Sequence, residues 1–404
     1  MTDPRRSPER AALLTAVERV RDAALAHADE AERRRTLAPA VVDALHSVGL
    51  FAMAAPRALG GAECDPLTQI EVFEAMARID TSAGWSLMIG AMTTAMAGGY
   101  LPDAGAARVF AGATPICAGL QQPAGVARRA PGGYVVSGRW PFGSGVRHAG
   151  WVLSGAVVEP AGAPAVAGSP GGPPELLTFA VPAGDVRIED TWHSSGLRGS
   201  GSDHYRVEGV FVPEELTFPF PAAAPRRGGP LYALPFIAFV TPAHVGFALG
   251  AARGALDEII RAAPRRTRLW TGVQLGDHAA FQMDLGRAEA KLGAARAYAL
   301  AAVGAAWDRV RAGDALSLDD WSAVRLAATY VTEVAAEVIS FAYRSGGASA
   351  LYSTSPLQRY FRDIHAATQH IAATDDAYEA AGRARLGIAT PHPFFAPRPP
   401  LQGA

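Results

Sequence analysis

The hydrophobic rhythm of this chain changes twice, and those two changes limit its fold more than any single motif. Up to about residue 112 the apolar positions keep helical spacing. Residues 8–35 place Leu13, Val17, Val20 and Ala24 on one face and Glu18, Arg21 and Glu32 on the other. A second helix is expected from Pro39 to Val48, stopping at Gly49. A third opens at Pro66 with Ile70, Phe73, Met76 and Ile79, and a fourth, uncharged one reaches about Tyr100. A short fifth helix follows Pro102. From about Thr114 short runs rich in Val, Tyr and Phe alternate with Gly/Pro turns: 116–120, 133–140, 151–158, 176–181, 186–190 and 204–212. From about Leu231 long Ala-rich helical segments return, over 236–262, 274–311, 317–343 and 357–385. The expected plan is a helical domain (1–112), a central antiparallel β-barrel or sandwich (113–228), a four-helix bundle (229–390) and an extended tail (391–404).

Composition removes several function classes. The formal net charge is −1, so no electrostatic pull draws the chain toward nucleic acid or an anionic membrane. Two cysteines, Cys64 and Cys117, make neither a disulfide framework nor a metal-ligand spacing, which suits a reducing cytoplasm. The N-terminus lacks the long apolar stretch of a signal peptide. Residues 81–102 and 228–252 carry no charge, yet they are rich in Gly, Ser, Thr and Pro and include His244. Buried helices are expected there rather than membrane spans. Lys291 is the only lysine, which excludes a GxxxxGK[ST] phosphate loop and leaves a single Schiff-base candidate on a solvated helix face.

Four stretches are candidates for chemistry. Ser355–Gly387 reads as one helix, with Leu357, Phe361, Ile364, Thr368 and Ile371 as its apolar stripe. On such a helix His365 and His370 project about 140° apart and cannot chelate one metal. Arg359, Arg362 and Asp363 accompany them; a flank of this kind is an ion-paired anchor or a site. In GRWPFGSGVRHAGW a strand ends at Trp140, and Gly143-Ser144-Gly145 brings bare backbone close to a neighbour. That neighbour is a flat aromatic ligand stacked on the indole, or the turn is a tight hairpin with Trp140 in the core. Gly196, Gly199 and Gly201 around Arg198 form a loop able to approach an anion or a ring, without opening a helix as a dinucleotide fingerprint would. The Arg265–Arg268 run is either solvated or a phosphate clamp, and Gly346-Gly347 ends a bundle helix.

Together these stretches resemble the acyl-CoA dehydrogenase superfamily over nearly the whole chain. More closely, RWPFGSGVRHAGW, TWHSSGLRGSGS…VFVP and PLQRYFRDIHAATQH are similar to its flavin-dependent monooxygenase branch, the oxygenase components of two-component systems. The resemblance implies an α+β multidomain fold that binds reduced FMN or FAD, delivered by a separate NAD(P)H:flavin reductase. Dioxygen, as co-substrate, adds at flavin C4a, and the hydroperoxide hydroxylates or N-oxygenates a small organic substrate. It implies that Trp140, Phe142, Gly143 and Ser144 sit against the isoalloxazine, that Gln121 meets the flavin and that Arg268 reaches a cofactor phosphate. It also places Gly346 and Gly347 at the cofactor of a neighbouring subunit in a homotetramer. Dehydrogenases of the superfamily often carry a Glu shortly after the RD pair; here Gln369-His370-Ile371 stands there, so His370, with Ser144, is the catalytic choice and His365 a structural one. Trp85, Met92 and Thr93, with His370, are expected to line the substrate pocket. Several hydroxylases of this branch have a His a few residues after a GW pair; Gly84-Trp85 is followed by no His, which argues against a phenol-type substrate. The competing expectations are a flavin dehydrogenase acting on an activated C–C bond, and a helical scaffold that has lost the cofactor.

Overall fold

The structure, a computed structural model, describes residues 5–159, 174–220, 224–267 and 272–388. Five helices come first: α1 (Arg10–Arg34), α2 (Pro39–Ser47), α3 (Pro66–Ile79), α4 (Thr81–Tyr100) and α5 (Asp103–Val109). Their starts follow local chemistry. Asp65 caps α3 by accepting from Thr68 N at 2.9 Å, with Pro66 at the first helical position. Asp80 caps α4 by accepting from Ala83 N at 2.7 Å.

Among the described residues eight strands follow: β1 (Cys117–Ala118), β2 (Pro123–Ala130), β3 (Gly133–Gly143), β4 (Trp151–Val158), β5 (Leu176–Pro182), β6 (Arg187–Glu189), β7 (Asp203–Pro213) and β8 (Thr217–Pro219). They form one sheet in the order β6-β7-β3-β2-β4-β5-β8, with β1 beside β4. Most pairings are antiparallel, as expected, but β1–β4 and β2–β4 run parallel. The last strand, β8, lies beyond the final run expected, 204–212.

The C-terminal part holds α6 (Phe236–Ala262), α7 (Ala279–Arg311), α8 (Leu318–Ser345), α9 (Pro356–Ala367) and α10 (Asp376–Arg385). Helix α6 packs closely on α3 because it presents glycines there. A Cβ on Gly246 would come 2.4 Å from Ile70 O, and one on Gly250 would come 2.2 Å from Glu74 O. Any larger side chain would push the helices apart. Both charge-free stretches are buried in the fold: every residue of α4 except Ile89, and most of α6. Among the described residues, one helix, Phe236–Arg265, is long and apolar enough to cross a membrane, and 78% of its most apolar part is buried. Lys291 sits on an exposed face, paired with Glu337 at 2.5 Å.

The stretch expected to be one helix from Ser355 to Gly387 is instead broken after Ala367. Thr368 returns its hydroxyl to His365 O at 2.7 Å, and His370 adopts an extended backbone, φ −78° and ψ 141°. Side chains that bond their own backbone compete with the helical ladder, and here they win. Ile371, assigned to the apolar stripe, is 64% exposed. Ser355 makes no side-chain cap. The 140° separation of the two histidines therefore does not apply, because His370 belongs to the joint between α9 and α10.

Candidate active site

The site begins at the first turn of α4. Gly84 lets that turn lie against Ala77 of α3, where a Cβ would come within 2.8 Å. Trp85, 6% exposed, projects from the same turn and donates its indole N–H to Ser144 Oγ at 3.1 Å. Ser144 stands just past β3. The β3–β7 register slips between Trp140 and Gly143, and Phe142 takes a left-handed φ of 58°, unusual for a bulky residue. That strained turn aims Ser144 inward. Ser144 Oγ is 2.7 Å from Ser202 Oγ, Ser202 Oγ is 2.7 Å from Ser200 Oγ, and Ser200 donates to Leu197 O at 2.7 Å. A chain of hydroxyls thus runs from the indole into the β6–β7 loop.

Two imidazoles also pack against the indole. The His370 ring lies 5.5 Å from Trp85, edge to face, and the His244 ring lies 6.0 Å away. The two imidazoles are 4.4 Å apart and tilted by 33°. Phe247, one turn beyond His244 on α6, closes on Trp85 at 5.0 Å. Burial holds the His370 imidazole down at about 4 and pushes His244 well below the ordinary value, with the neighbouring imidazole adding to it. Both rings are therefore neutral at physiological pH. His370 Nδ1 accepts from Ala372 N at 3.2 Å, so its one proton sits on Nε2.

A buried carboxyl group anchors α9, the helix that leads to His370. Asp363 is fully buried; it accepts from Leu197 N at 2.6 Å and from the Thr81 hydroxyl. Burial raises its carboxyl to about 7, with Glu32 adding to the effect. Arg362 pairs with Glu32 at 2.7 Å and Arg359 with Asp29. The polar flank of α9 is thus partnered member by member. A Cβ on Gly196 would come 2.0 Å from Arg362 O, so this glycine of the β6–β7 loop lets the loop lie on α9. Arg198 points into the protein, donating to Ser194 O and Glu32 O at 3.3 Å each.

The remaining sequence candidates divide. Trp140 does not offer its ring to a ligand. It is fully buried in the β domain, donates to Gly155 O at 2.8 Å and stacks on Tyr205 at 5.7 Å. Bare Gly125 and Gly138 make room for it, and Gly143 is bare because Tyr205 lies where its Cβ would stand, 2.7 Å away. The core alternative for Trp140 is the correct one. Phe142 is 60% exposed, edge-on to Trp192 and His204. Met92 is buried two turns beyond Trp85 on the same face of α4; Thr93, also buried, is turned roughly 80° from it. Gly346 is buried and its carbonyl accepts from Arg266, whereas Gly347 is exposed with φ 55°. His365 is exposed, with Nε2 3.4 Å from Ser340 Oγ. Arg268 and the tail 391–404 lie outside the described residues.

Fit to a flavin can be judged from orphaned polar atoms. Gln121 Nε2 is buried with no partner, and so is His148 Nδ1, whose ring burial holds at about 4. A free amide donor on β1's extension and a neutral imidazole beside the Ser144 turn suit the donor–acceptor edge of an isoalloxazine. The residues fit the group. Among the described residues no set of three His, Cys, Asp or Glu side chains is placed to hold a metal. A cavity of about 770 Å³ lies apart from these rings, between α1, α6 and α9, lined by Arg21, Asp80, Arg359 and Tyr360.

Sequence reasoning missed His244, Ser200 and Ser202. A signal existed for the first: His244 is the one imidazole in a charge-free helical stretch, where an ionisable ring needs a reason to be buried.

Known proteins resemble this chain over most of its length. The family model for the acyl-CoA dehydrogenase N-terminal domain matches residues 7–105, and that for the C-terminal domain matches residues 243–375. An indole-3-acetate monooxygenase of Pseudomonas putida is 34% identical over 361 residues, 89% of this chain and 89% of that protein. The flavin-dependent monooxygenase oxygenase subunit HsaA of Rhodococcus jostii (strain RHA1) is 29% identical over 374 residues, 89% of this chain and 94% of its own. The structure of XiaF from Streptomyces sp. in complex with FADH2 and glycerol superposes with a TM-score of 0.88 at 27% identity, covering 95% of this chain and 97% of that one. The chain belongs to the acyl-CoA dehydrogenase superfamily and, within it, to the flavin-dependent monooxygenases that act with reduced flavin.

Proposed function

We propose that this chain is the oxygenase component of a two-component system, hydroxylating a small aromatic substrate with dioxygen and reduced flavin delivered by a separate NAD(P)H:flavin reductase. The observation that carries this is the convergence of Ser144, Trp85 and a neutral His370 where a dehydrogenase would need a carboxylate. Bound reduced flavin supplies the electrons that activate dioxygen. Ser144 and Gln121 hold the ring edge. His370 presents Nε2–H to the oxygen and keeps its proton there, while the aromatic walls of Trp85 and Phe247 exclude water. Aromatic substrates are favoured by those walls and by relatives named for indole-3-acetate and for resorcinol. Met92 and Thr93 extend the pocket along α4.

The same reading extends to assembly. Arg268 reaches a cofactor phosphate, and Gly346-Gly347 meets the cofactor of a neighbouring subunit. Leu351 and Tyr352, each 69% exposed beside that turn, favour a subunit contact in a homotetramer. The enzyme acts in the cytoplasm, which its two free, buried cysteines suit.

The test is anaerobic titration with reduced FMN and reduced FAD, followed by an oxygen pulse. His370→Ala should retain reduced-flavin binding, lose product by about 10²–10⁴-fold and divert oxygen to hydrogen peroxide. Unchanged turnover would remove His370 from the chemistry. A preparation that is yellow as isolated, and bleaches anaerobically with substrate, would restore the dehydrogenase alternative.

A further inference from the structure

We propose that His244 of α6 is the substrate-anchoring residue of this site, taking a hydrogen bond from a hydroxyl or ring N–H of an uncharged aromatic substrate. This rests on the oxygenase reading and adds to it a division of labour between the two imidazoles.

The first observation is an unmet demand. His244 is 9% exposed, yet among the described residues its ring has only aromatic neighbours and no hydrogen bond. Its ring nitrogens are not among the fully buried polar atoms left without a partner, as His148 Nδ1 is, so they open onto accessible space where a ligand group can meet them. The second is that His370 cannot be that partner. The two rings lie 4.4 Å apart and only 33° from parallel, a face-to-face arrangement in which neither ring's nitrogens point at the other. The Nδ1 of His370 is moreover committed to Ala372 N.

The third is placement. The opposite face of α6 is locked to α3 through Gly246 and Gly250, which turns His244 and Phe247 toward Trp85. Pro242, two residues earlier, has no N–H for the carbonyl one turn back and loosens the helix there. The ring therefore stands on a helix whose far side is held by α3, beside the indole that is tied to Ser144.

The chemistry of the ligand follows. A neutral imidazole offers one acceptor and one donor and no charge, so it selects a group that can donate, such as a phenol O–H or a pyrrole-type N–H. The absence of a histidine in α4 after Gly84-Trp85 is thus made good from another helix, and a phenol-type substrate is again compatible with the site.

The experiment is equilibrium binding of phenol and of toluene to the full-length protein; the two differ only in the donor group. Wild type should bind phenol about 10–100-fold more tightly, the range expected of one satisfied buried hydrogen bond. His244→Ala should bring the two within about 2-fold while leaving toluene and reduced FMN binding unchanged. His244→Asn, which supplies an amide oxygen as acceptor in place of the ring nitrogen, should restore part of the preference. In wild type, phenol but not toluene should move the ¹⁵N resonances of His244, a readout that does not depend on any variant folding. Equal affinity for the two probes in wild type, or a preference that survives in His244→Ala, overturns the assignment. If instead the preference is found but no reduced flavin binds, the anchoring role stands and the oxygenase reading falls.

Discussion

Removing the Ser144 hydroxyl tests whether the indole and the β3–β4 turn are coupled as described. Ser144→Ala leaves the Trp85 N–H, on a residue 6% exposed, without the acceptor it has at 3.1 Å. Ser202 loses one of two partners but keeps Ser200 at 2.7 Å, so the orphaned indole dominates the cost. An unsatisfied buried donor costs about 1–3 kcal/mol. For a chain of this length that corresponds to a fall in Tm of about 1–6 °C, because the shift per kcal/mol shrinks as size grows. Trp85→Phe removes the donor and most of that penalty with it. In the Trp85→Phe background Ser144→Ala should therefore cost about 1 kcal/mol less than in wild type. The assay is a double-mutant cycle by urea and thermal unfolding of the four proteins, with peroxide released per oxygen consumed as a second readout. The single Ser144→Ala variant should also release more peroxide, because the held edge of the flavin site is lost. Strict additivity of the two substitutions, within about 0.3–0.5 kcal/mol, would refute the bond and the positioning of Ser144 with it.

Two further outcomes are expected. Stability should depend on pH with opposite signs from two groups. His370, held at about 4 against an unfolded value near 6.5, binds fewer protons folded than unfolded between those values, so its contribution is lost as pH falls from about 6.5 to about 4 and amounts to a few kcal/mol. Asp363, raised to about 7, keeps a proton that the unfolded chain has released, so its contribution declines as pH rises from about 4 to about 7. Melting across this range should lose part of its acid limb in His370→Ala, the rest remaining from buried His148 and His244, and should flatten toward neutral pH in Asp363→Asn; a profile identical to wild type in either variant contradicts the burial described. Gly125→Ala should lower stability by about 1–3 kcal/mol or more, since its Cβ would come 2.2 Å from the Trp140 ring, and Trp140→Phe should relieve much of that cost. Tolerance of Gly125→Ala with an unchanged Tm would mean the indole is not where it is drawn.

The helix–sheet–helix order was legible because each domain is long enough for its period to repeat many times. The site was legible only in part. Ser144 and His370 stand out because their short motifs put a polar group at a turn or beside an ion-paired helix. Trp140 was ambiguous because a bare Gly-Ser-Gly turn looks the same whether its close neighbour is a ligand or, as found, Tyr205 and His148. The break after Ala367 was hidden because Ile371 continues the apolar spacing past the point where Thr368 and His370 bond their own backbone. His244 belongs to a helix whose sequence advertises burial and nothing else, and its role depends on which face Gly246 and Gly250 commit to α3.

The joint between α9 and α10 has a bearing on how such a protein diversifies. A reactive group riding on a rod can be exchanged only for residues the rod tolerates, and every insertion rotates all that follows. His370 rides on a short bend that follows α9, the helix Asp363 anchors, so its replacement need not disturb the lattice of the bundle. A chain built on this plan can change the side chain at that bend while keeping its frame.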